Sequence, residues 1–184
     1  MARGLEISQS ALWETAHAVD DARDLVLAHY DREHLALKRY LMFLGMDMDA
    51  ARETVQEAFL RLHEHVLGNG DRTNLRAWLY RVAHNLARNA QTSSHSRKAG
   101  PLEDAAVAGE AAAEYVSAED ELLAKERLGL LRQAMNQLST VQRECLVLRS
   151  QDLKYREIAE VLGLSVSTVA EHVQRALGRL KEML

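Results

Sequence analysis

One cysteine, one proline, nine glycines and an aromatic content of 5% are what this chain of 184 residues has little of. Each scarcity excludes something. One proline is too few for a proline-rich linker or a collagen-like repeat, and nine glycines are too few for the many turns of a β-sandwich. A lone Cys145 forms no internal disulfide and builds no multi-cysteine zinc site, which points to a reducing compartment. No run of about 18 apolar residues occurs, so no membrane insertion is expected. The first residues, Met1 to Glu6, hold no apolar signal core before the first acid. What remains is a cytoplasmic, all-α protein, long enough for one large or two small helical domains.

The net charge of −4 argues, taken as a total, against a nucleic-acid partner. Its distribution reverses that argument. Residues 1–30 carry a net −3, residues 31–70 a net −2, and residues 71–100 a net +5. Residues 101–127 then carry −6, and residues 128–184 carry +2. A surface field is set by charges within a Debye length of roughly 8–10 Å, so a chain acidic in total can still present a phosphate-binding face.

The pattern of apolar residues divides the chain into four parts. Residues 1–20 form an N-terminal extension with weak amphipathic character around Trp13. Residues 21–97 read as a first helical domain. Residues 98–121, rich in alanine and acid after Gly100 and Pro101, have too few large apolar groups to bury and read as a flexible acidic linker. Residues 122–184 read as a second helical domain.

In the first domain, Leu25 to Leu44 makes one long helix or two, ended by Gly45. Asp47 or Asp49 caps the next helix, Ala50 to Val66, whose Val55, Ala58, Phe59, Leu62 and Val66 repeat as a core stripe. Glu53, Gln56 and Glu57 lie on its other side. Leu67 to Thr73 is a loop, and Asn74 or Thr73 caps a third helix with Leu75, Trp78, Leu79, Val82 and Leu86 inward. Opposite them, Arg76, Tyr80, His84 and Arg88 advance by four, flanked by Arg81 and Asn85. Arginine neutralises phosphates, while amides and aromatic rings bond or stack on bases. Any solvated helix also carries a charged outer face, so this stripe alone decides nothing.

In the second domain, Leu128, Leu131, Met135 and Leu138 share a face, and Ser139 with Gln142 gives a capping-box signal. A short helix, Tyr155 to Leu162, is followed by a Gly163-Leu164-Ser165 turn and a longer helix from Val166. Short helix, glycine turn and long helix make a helix-turn-helix. Ser165 or Ser167 caps the second helix, and Val169, Val173, Ala176, Leu177 and Leu180 point inward. Its N-terminal half would enter a major groove with Ser167, Thr168, Ala170, Glu171, His172, Gln174 and Arg175 outward. No cofactor, metal or catalytic group stands out. His63 and His65 are two apart on a helix and face apart, Cys145 lies on an apolar stripe, and no loop fixes the Asp20-Asp21 pair as a catalytic dyad.

Three ordered stretches resemble the extracytoplasmic-function (ECF) sigma factors of bacterial RNA polymerase. Asp49 to Leu62, with its acid-rich start and Gln56-Glu57-Ala58-Phe59-Leu60, is similar to region 2.2. Asn74 to Asn85, with Ala77-Trp78-Leu79-Tyr80-Arg81-Val82-Ala83, is similar to regions 2.3–2.4. Leu138 to Leu146, Tyr155-Arg156-Glu157-Ile158-Ala159 and Ser165-Val166-Ser167-Thr168-Val169 are similar to region 4.

The resemblance implies a non-enzymatic protein whose partners are core RNA polymerase and promoter DNA. Asp49, Glu53, Gln56 and Glu57 would contact the polymerase. Asn74, Arg76, Tyr80, Arg81, His84, Asn85 and Arg88 would read the minus-ten element, with the Gly68–Asn74 loop trapping a flipped base. Ser165, Ser167, Thr168, Ala170, Glu171, His172, Gln174 and Arg175 would read the minus-thirty-five duplex. An anti-sigma factor is implied as a further partner, though no residue identifies one. Ala170, His172 and Leu177 stand where many members carry basic residues, and Glu171 adds an acid. A steeper dependence on Arg76 and Arg88 is therefore expected. The alternatives are a helix-turn-helix regulator without initiation activity, which needs no acid-amide face at Glu53 to Glu57, and a sigma-like sequestering protein, which needs no basic stripe.

Overall fold

A computed structural model of the chain describes residues 9–95 and 118–183, and these residues are all-α. The expected flexible linker falls almost wholly outside them, as do the first eight residues of the N-terminal extension. The chain divides into two compact units, one within residues 1–105 and the other within 106–184. The first holds α1 (Gln9–Phe43), α2 (Met48–Leu67) and α3 (Leu75–His95). The second holds α4 (Ala118–Asn136), α5 (Thr140–Ser150), α6 (Tyr155–Leu162) and α7 (Val166–Met183). No helix among the described residues is long and apolar enough to cross a membrane.

Four helix ends, two in each unit, are made the same way. After α1, Gly45 adopts φ 95°, its N–H reaches the Met42 carbonyl at 2.9 Å, and the Met46 N–H reaches Leu41 at 3.2 Å. This is the Schellman ending, which needs a left-handed residue just past the helix. Gly163 supplies it after α6, with φ 66° and the Leu164 N–H on the Ala159 carbonyl at 3.0 Å. Asn69 and Asp152 supply it after α2 and α5, with φ 57° and 61°. Asparagine and aspartate tolerate this conformation better than other side chains do. Starts are equally explicit. Asp47 Oδ1 accepts from the Ala50 N–H at 2.8 Å, and Ser139 and Gln142 close a capping box.

In the first unit, α1 packs on both α2 and α3, and α2 packs on α3. At about 1.5 Å per residue, α1 is about 50 Å long, a single helix that starts well before Leu25 and runs unbroken through residue 20. The expected stripe on α2 is buried, with Ala51 added to Val55, Ala58, Phe59, Leu62 and Val66. On α3 the buried set is wider than expected and rotated: Leu75, Ala77, Leu79, Tyr80, Ala83, His84 and Ala87 are enclosed, while Trp78, Val82 and Leu86 are only half-buried. The cause is geometric. A helix lodged between two others buries two adjacent faces, so the solvent stripe narrows.

The second unit is built on Leu138, Cys145, Leu148, Leu153, Ile158 and Val169, all nearly or fully enclosed. Arg179 on α7 reaches back to the Gln137 carbonyl at 3.4 Å and ties the last helix to the α4–α5 turn. Two expected core residues lie outside it: Leu177 is 53% exposed and Leu131 40%. The inward line of α7 runs Val169, Val173, Ala176, and Leu177 sits 100° beyond its last member.

Candidate nucleic-acid interface

Three surfaces bear on function. The first is on α2, where Asp49, Glu53 and Gln56 are exposed at i, i+4 and i+7 and so share one stripe. Glu57 lies at its margin, half-buried and paired with Arg61 at 2.7 Å. Leu60 continues the stripe at i+11 and is 55% exposed. Sequence reading passed over it, because a leucine among core leucines gives no sign of pointing outward; only its one-residue offset from Phe59 could have shown it.

The second surface is on α3, where the expected stripe separates into two. Arg81, Asn85 and Arg88 are exposed at i, i+4 and i+7. Among the described residues no carboxylate pairs with Arg81 or Arg88. Asn74 starts the helix, its Oδ1 accepting from the Ala77 N–H at 3.3 Å, which settles the choice of cap between Thr73 and Asn74. Tyr80 and His84 are not on this face. Tyr80 is fully buried and His84 is 2% exposed, because both point into the seam between α3 and α1. Arg76 is held at the edge of the same seam, with Nε 2.9 Å from Oε1 of the buried Glu33.

That seam is polar along its length. Arg76 lies over the Tyr80 ring, its guanidinium carbon 5.8 Å from the centroid. Tyr80 packs against Tyr40 at 5.8 Å between centroids, and the Tyr40 hydroxyl lies 2.7 Å from His84 Nδ1. Farther along, the Gln91 amide donates to the Leu44 carbonyl. Burial, and then the Arg88 charge, lower the His84 pKa to about 4, so the imidazole is neutral at pH 7. Desolvation, with the Glu33 charge second, pushes the Tyr80 phenol well above its usual value.

Between α2 and α3 the Gly68–Asn74 loop is closely held. The His65 ring, on the last turn of α2, stacks on Trp78 at 4.5 Å and 25°. Its Nε2 lies 2.9 Å from the Asp71 carbonyl, which can only accept, so Nε2 carries the proton. Arg72 donates to the Val66 carbonyl at 3.1 Å. The Asp71 carboxylate receives the Thr73 N–H at 2.9 Å and the Thr73 hydroxyl at 3.0 Å, and these bonds hold its pKa below the usual aspartate value.

The third surface is the start of α7. Ser165, not Ser167, caps it: Ser165 Oγ accepts from the Thr168 N–H at 3.1 Å and lies 2.8 Å and 2.7 Å from the Ser167 and Thr168 hydroxyls. Ser167, Glu171, Gln174 and Arg175 are exposed, while Thr168 and Ala170 are half-buried. Arg175 pairs with Glu171 at 3.2 Å. His172 is half-buried with Nδ1 enclosed, which removes that nitrogen from the outward set. Cys145 is fully buried and its thiol is pushed up to about 11, mainly by desolvation, so it stays protonated. No group of three or more His, Cys, Asp or Glu among the described residues is arranged to hold a metal ion.

Comparison with known proteins places both units in known families. Residues 29–97 match the sigma-70 region 2 family and residues 128–180 the sigma-70 region 4 family. Over 165 residues the chain is 31% identical to the ECF RNA polymerase sigma factor SigL of Mycobacterium tuberculosis, covering 85% of this chain and 87% of that protein. The chain belongs to the ECF sigma factors. The RNA polymerase sigma factor SigZ of Bacillus subtilis is 28% identical over 84% of each chain. A solved structure of CnrH in complex with the cytosolic domain of CnrY shares the fold, with a TM-score of 0.60 and 22% identity over 91% of this chain and 92% of that one. In this sigma factor α2 and α3 fall within region 2, and α5, α6 and most of α7 within region 4. Sigma factors are regulatory and not catalytic, and this one is not an enzyme.

Proposed function

We propose that this sigma factor binds core RNA polymerase through the α2 stripe and directs promoter recognition and DNA-templated initiation. The observation that carries the reading is the pairing of two unlike faces within one unit. An acid-amide stripe (Asp49, Glu53, Gln56) lies on α2, and a basic stripe (Arg81, Asn85, Arg88), with no carboxylate among the described residues paired to either arginine, lies on α3. A regulator that only bound duplex DNA would need the second and not the first. Leu60 joins the polymerase-facing set as an apolar anchor amid polar contacts, the usual composition of a protein interface.

In this reading the Gly68–Asn74 loop and the outer face of α3 take the minus-ten element. Arg81 and Arg88 neutralise backbone phosphates, Asn85 bonds to a base, and the loop takes one base out of the stack. Arg76, Tyr80 and His84 serve by fixing α3 against α1. The α7 start, through Ser167, Gln174 and Arg175, takes the minus-thirty-five duplex. An anti-sigma protein is a further partner, by analogy with the CnrH neighbour solved with the cytosolic domain of CnrY. The protein works in the cytoplasm, with the polymerase.

The test is reconstituted initiation: the full chain, sigma-free core polymerase and a genomic promoter pool, with transcript starts sequenced. Starts downstream of a shared two-part motif are expected. A chain that forms no stable core complex sinks the reading.

A further inference from the structure

We propose that His65 is the positioning residue of the Gly68–Asn74 loop, its imidazole acting as the floor on which the loop is shaped to receive one unstacked base of the non-template strand. The inference deepens the minus-ten reading above and rests on it.

Four observations converge on this one residue. The ring stacks on Trp78 of α3, so it is braced from below by the helix that carries the basic face. Its Nε2–H is bonded to the Asp71 carbonyl, in the middle of the loop. A Cβ built on Gly70 would clash with Cε1, Nδ1 and Nε2 of the ring, so the loop backbone passes close against the imidazole and any larger residue there would have to displace it. The His65 carbonyl accepts the Gly70 N–H at 2.8 Å, which fixes the same residue from its backbone side. Backbone and side chain of His65 therefore hold two successive loop residues at once.

The consequence is preorganisation. A loop of seven residues without such a brace would sample many shapes and be ordered only on binding, at an entropic cost that lowers affinity. Here the order is present beforehand, and the Thr73 bonds to Asp71 extend it to the edge of α3. The glycine is needed because of the histidine, and the histidine is held because of the tryptophan, so the three residues function as one unit.

The experiment uses the full chain with core polymerase. The probe is a single-stranded non-template oligonucleotide spanning the minus-ten element, carrying 2-aminopurine at each position in turn. His65→Ala and Gly70→Ala should each weaken oligonucleotide binding about tenfold, equivalent to 1.4 kcal/mol, and abolish the fluorescence rise at the captured position. His65→Gln, whose amide can still donate to the Asp71 carbonyl, should recover most of both. Core affinity and binding to a minus-thirty-five duplex should not move, which a general folding defect would not allow. If His65→Ala keeps full affinity and signal while replacement of residues 69–73 by glycine and serine loses them, the loop reads the base and His65 does not position it. If that replacement also keeps both, with core binding intact, base capture by the loop is itself wrong. Failure of His65→Gln to recover anything overturns the hydrogen bond as the positioning contact.

Discussion

Helices α3 and α7 are the two candidate DNA-facing helices, and they treat their polar residues in opposite ways. On α3 the polar residues divide. Tyr80 and His84 turn inward, Arg76 closes the seam on Glu33, and Arg81, Asn85 and Arg88 turn outward, with no carboxylate among the described residues paired to either arginine. On α7 the polar residues stay at or near the surface, but Arg175, midway along the helix, is tied to Glu171. One helix thus has fewer outward groups than its sequence suggests, but unopposed ones. The other has several, with its charge largely cancelled. In the proposed reading, the positive field for DNA belongs to region 2.

The largest expected effect tests whether the inward half of α3 is structural. His84 has a folded pKa of about 4 against an ordinary 6.5. Between those values the unfolded state binds the proton and the folded state does not. Stability is therefore complete above the ordinary value and falls as pH drops from 6.5 towards 4, then levels off. At about 1.4 kcal/mol per unit, the loss is on the order of 3 kcal/mol when complete. Thermal melting of wild type and His84→Gln at pH 7.5, 6 and 5 should show a steeper decline in wild type. Equal slopes would place His84 outside the seam.

Arg76→Ala comes next. It strands the Glu33 carboxylate, which is 12% exposed, without its partner. Breaking a fully buried pair costs about 3–5 kcal/mol, and because Arg76 is about a third exposed the cost here should be about 2 kcal/mol. The loss should be read in urea unfolding, and Glu33→Gln with Arg76→Gln together should recover part of it. A stable Arg76→Ala with impaired DNA binding would return Arg76 to the outward face and break the division of α3.

The outward half is tested by Arg81→Ala and Arg88→Ala. Each should weaken promoter binding about tenfold at low salt and flatten the salt dependence by about 0.7 per lost phosphate contact on single-stranded DNA. Melting temperature should hardly change. An unaltered salt slope in the double variant would remove the phosphate assignment.

These results also mark how far the sequence could be read. The α2 stripe was legible because Val55, Ala58, Phe59, Leu62 and Val66 sit in an unbroken register with acids opposite. The capping box at Ser139 and the helix-turn-helix at Gly163 were legible because both depend on local backbone bonds. The α3 face was misread because its spacing of four fits a solvent stripe and an inter-helix seam equally well. Which one forms depends on α1, whose contact with α3 is set by residues more than 40 positions away, as in the Tyr40–His84 pair. The choice between Asp47 and Asp49 as cap was open for a smaller reason, since both fit the sequence and only Asp47 has its oxygen on the Ala50 N–H. The His65–Trp78–Gly70 unit left no trace, because three residues spread over 14 positions share no motif.

The smallest expected effect sharpens the other side of the comparison. Glu171 and Arg175 are both mostly exposed, and such i,i+4 pairs contribute only about 0.3–0.5 kcal/mol to a helix. Glu171→Gln should therefore leave melting nearly unchanged. Its effect on duplex binding should be positive, about twofold to threefold, because Arg175 is released towards the phosphates and one repelling charge is removed. The gain should shrink as salt rises, since screening weakens both terms. Base preference separates this from a second role. A carboxylate that accepts from a cytosine amine would make Glu171→Gln lose affinity at sites with that base while gaining elsewhere. Binding measured across a randomised minus-thirty-five duplex pool distinguishes the two. A uniform gain means that Glu171 restrains α7, and a loss confined to one base position means that it reads. Only in the second case would region 4 rival region 2 as the source of specificity.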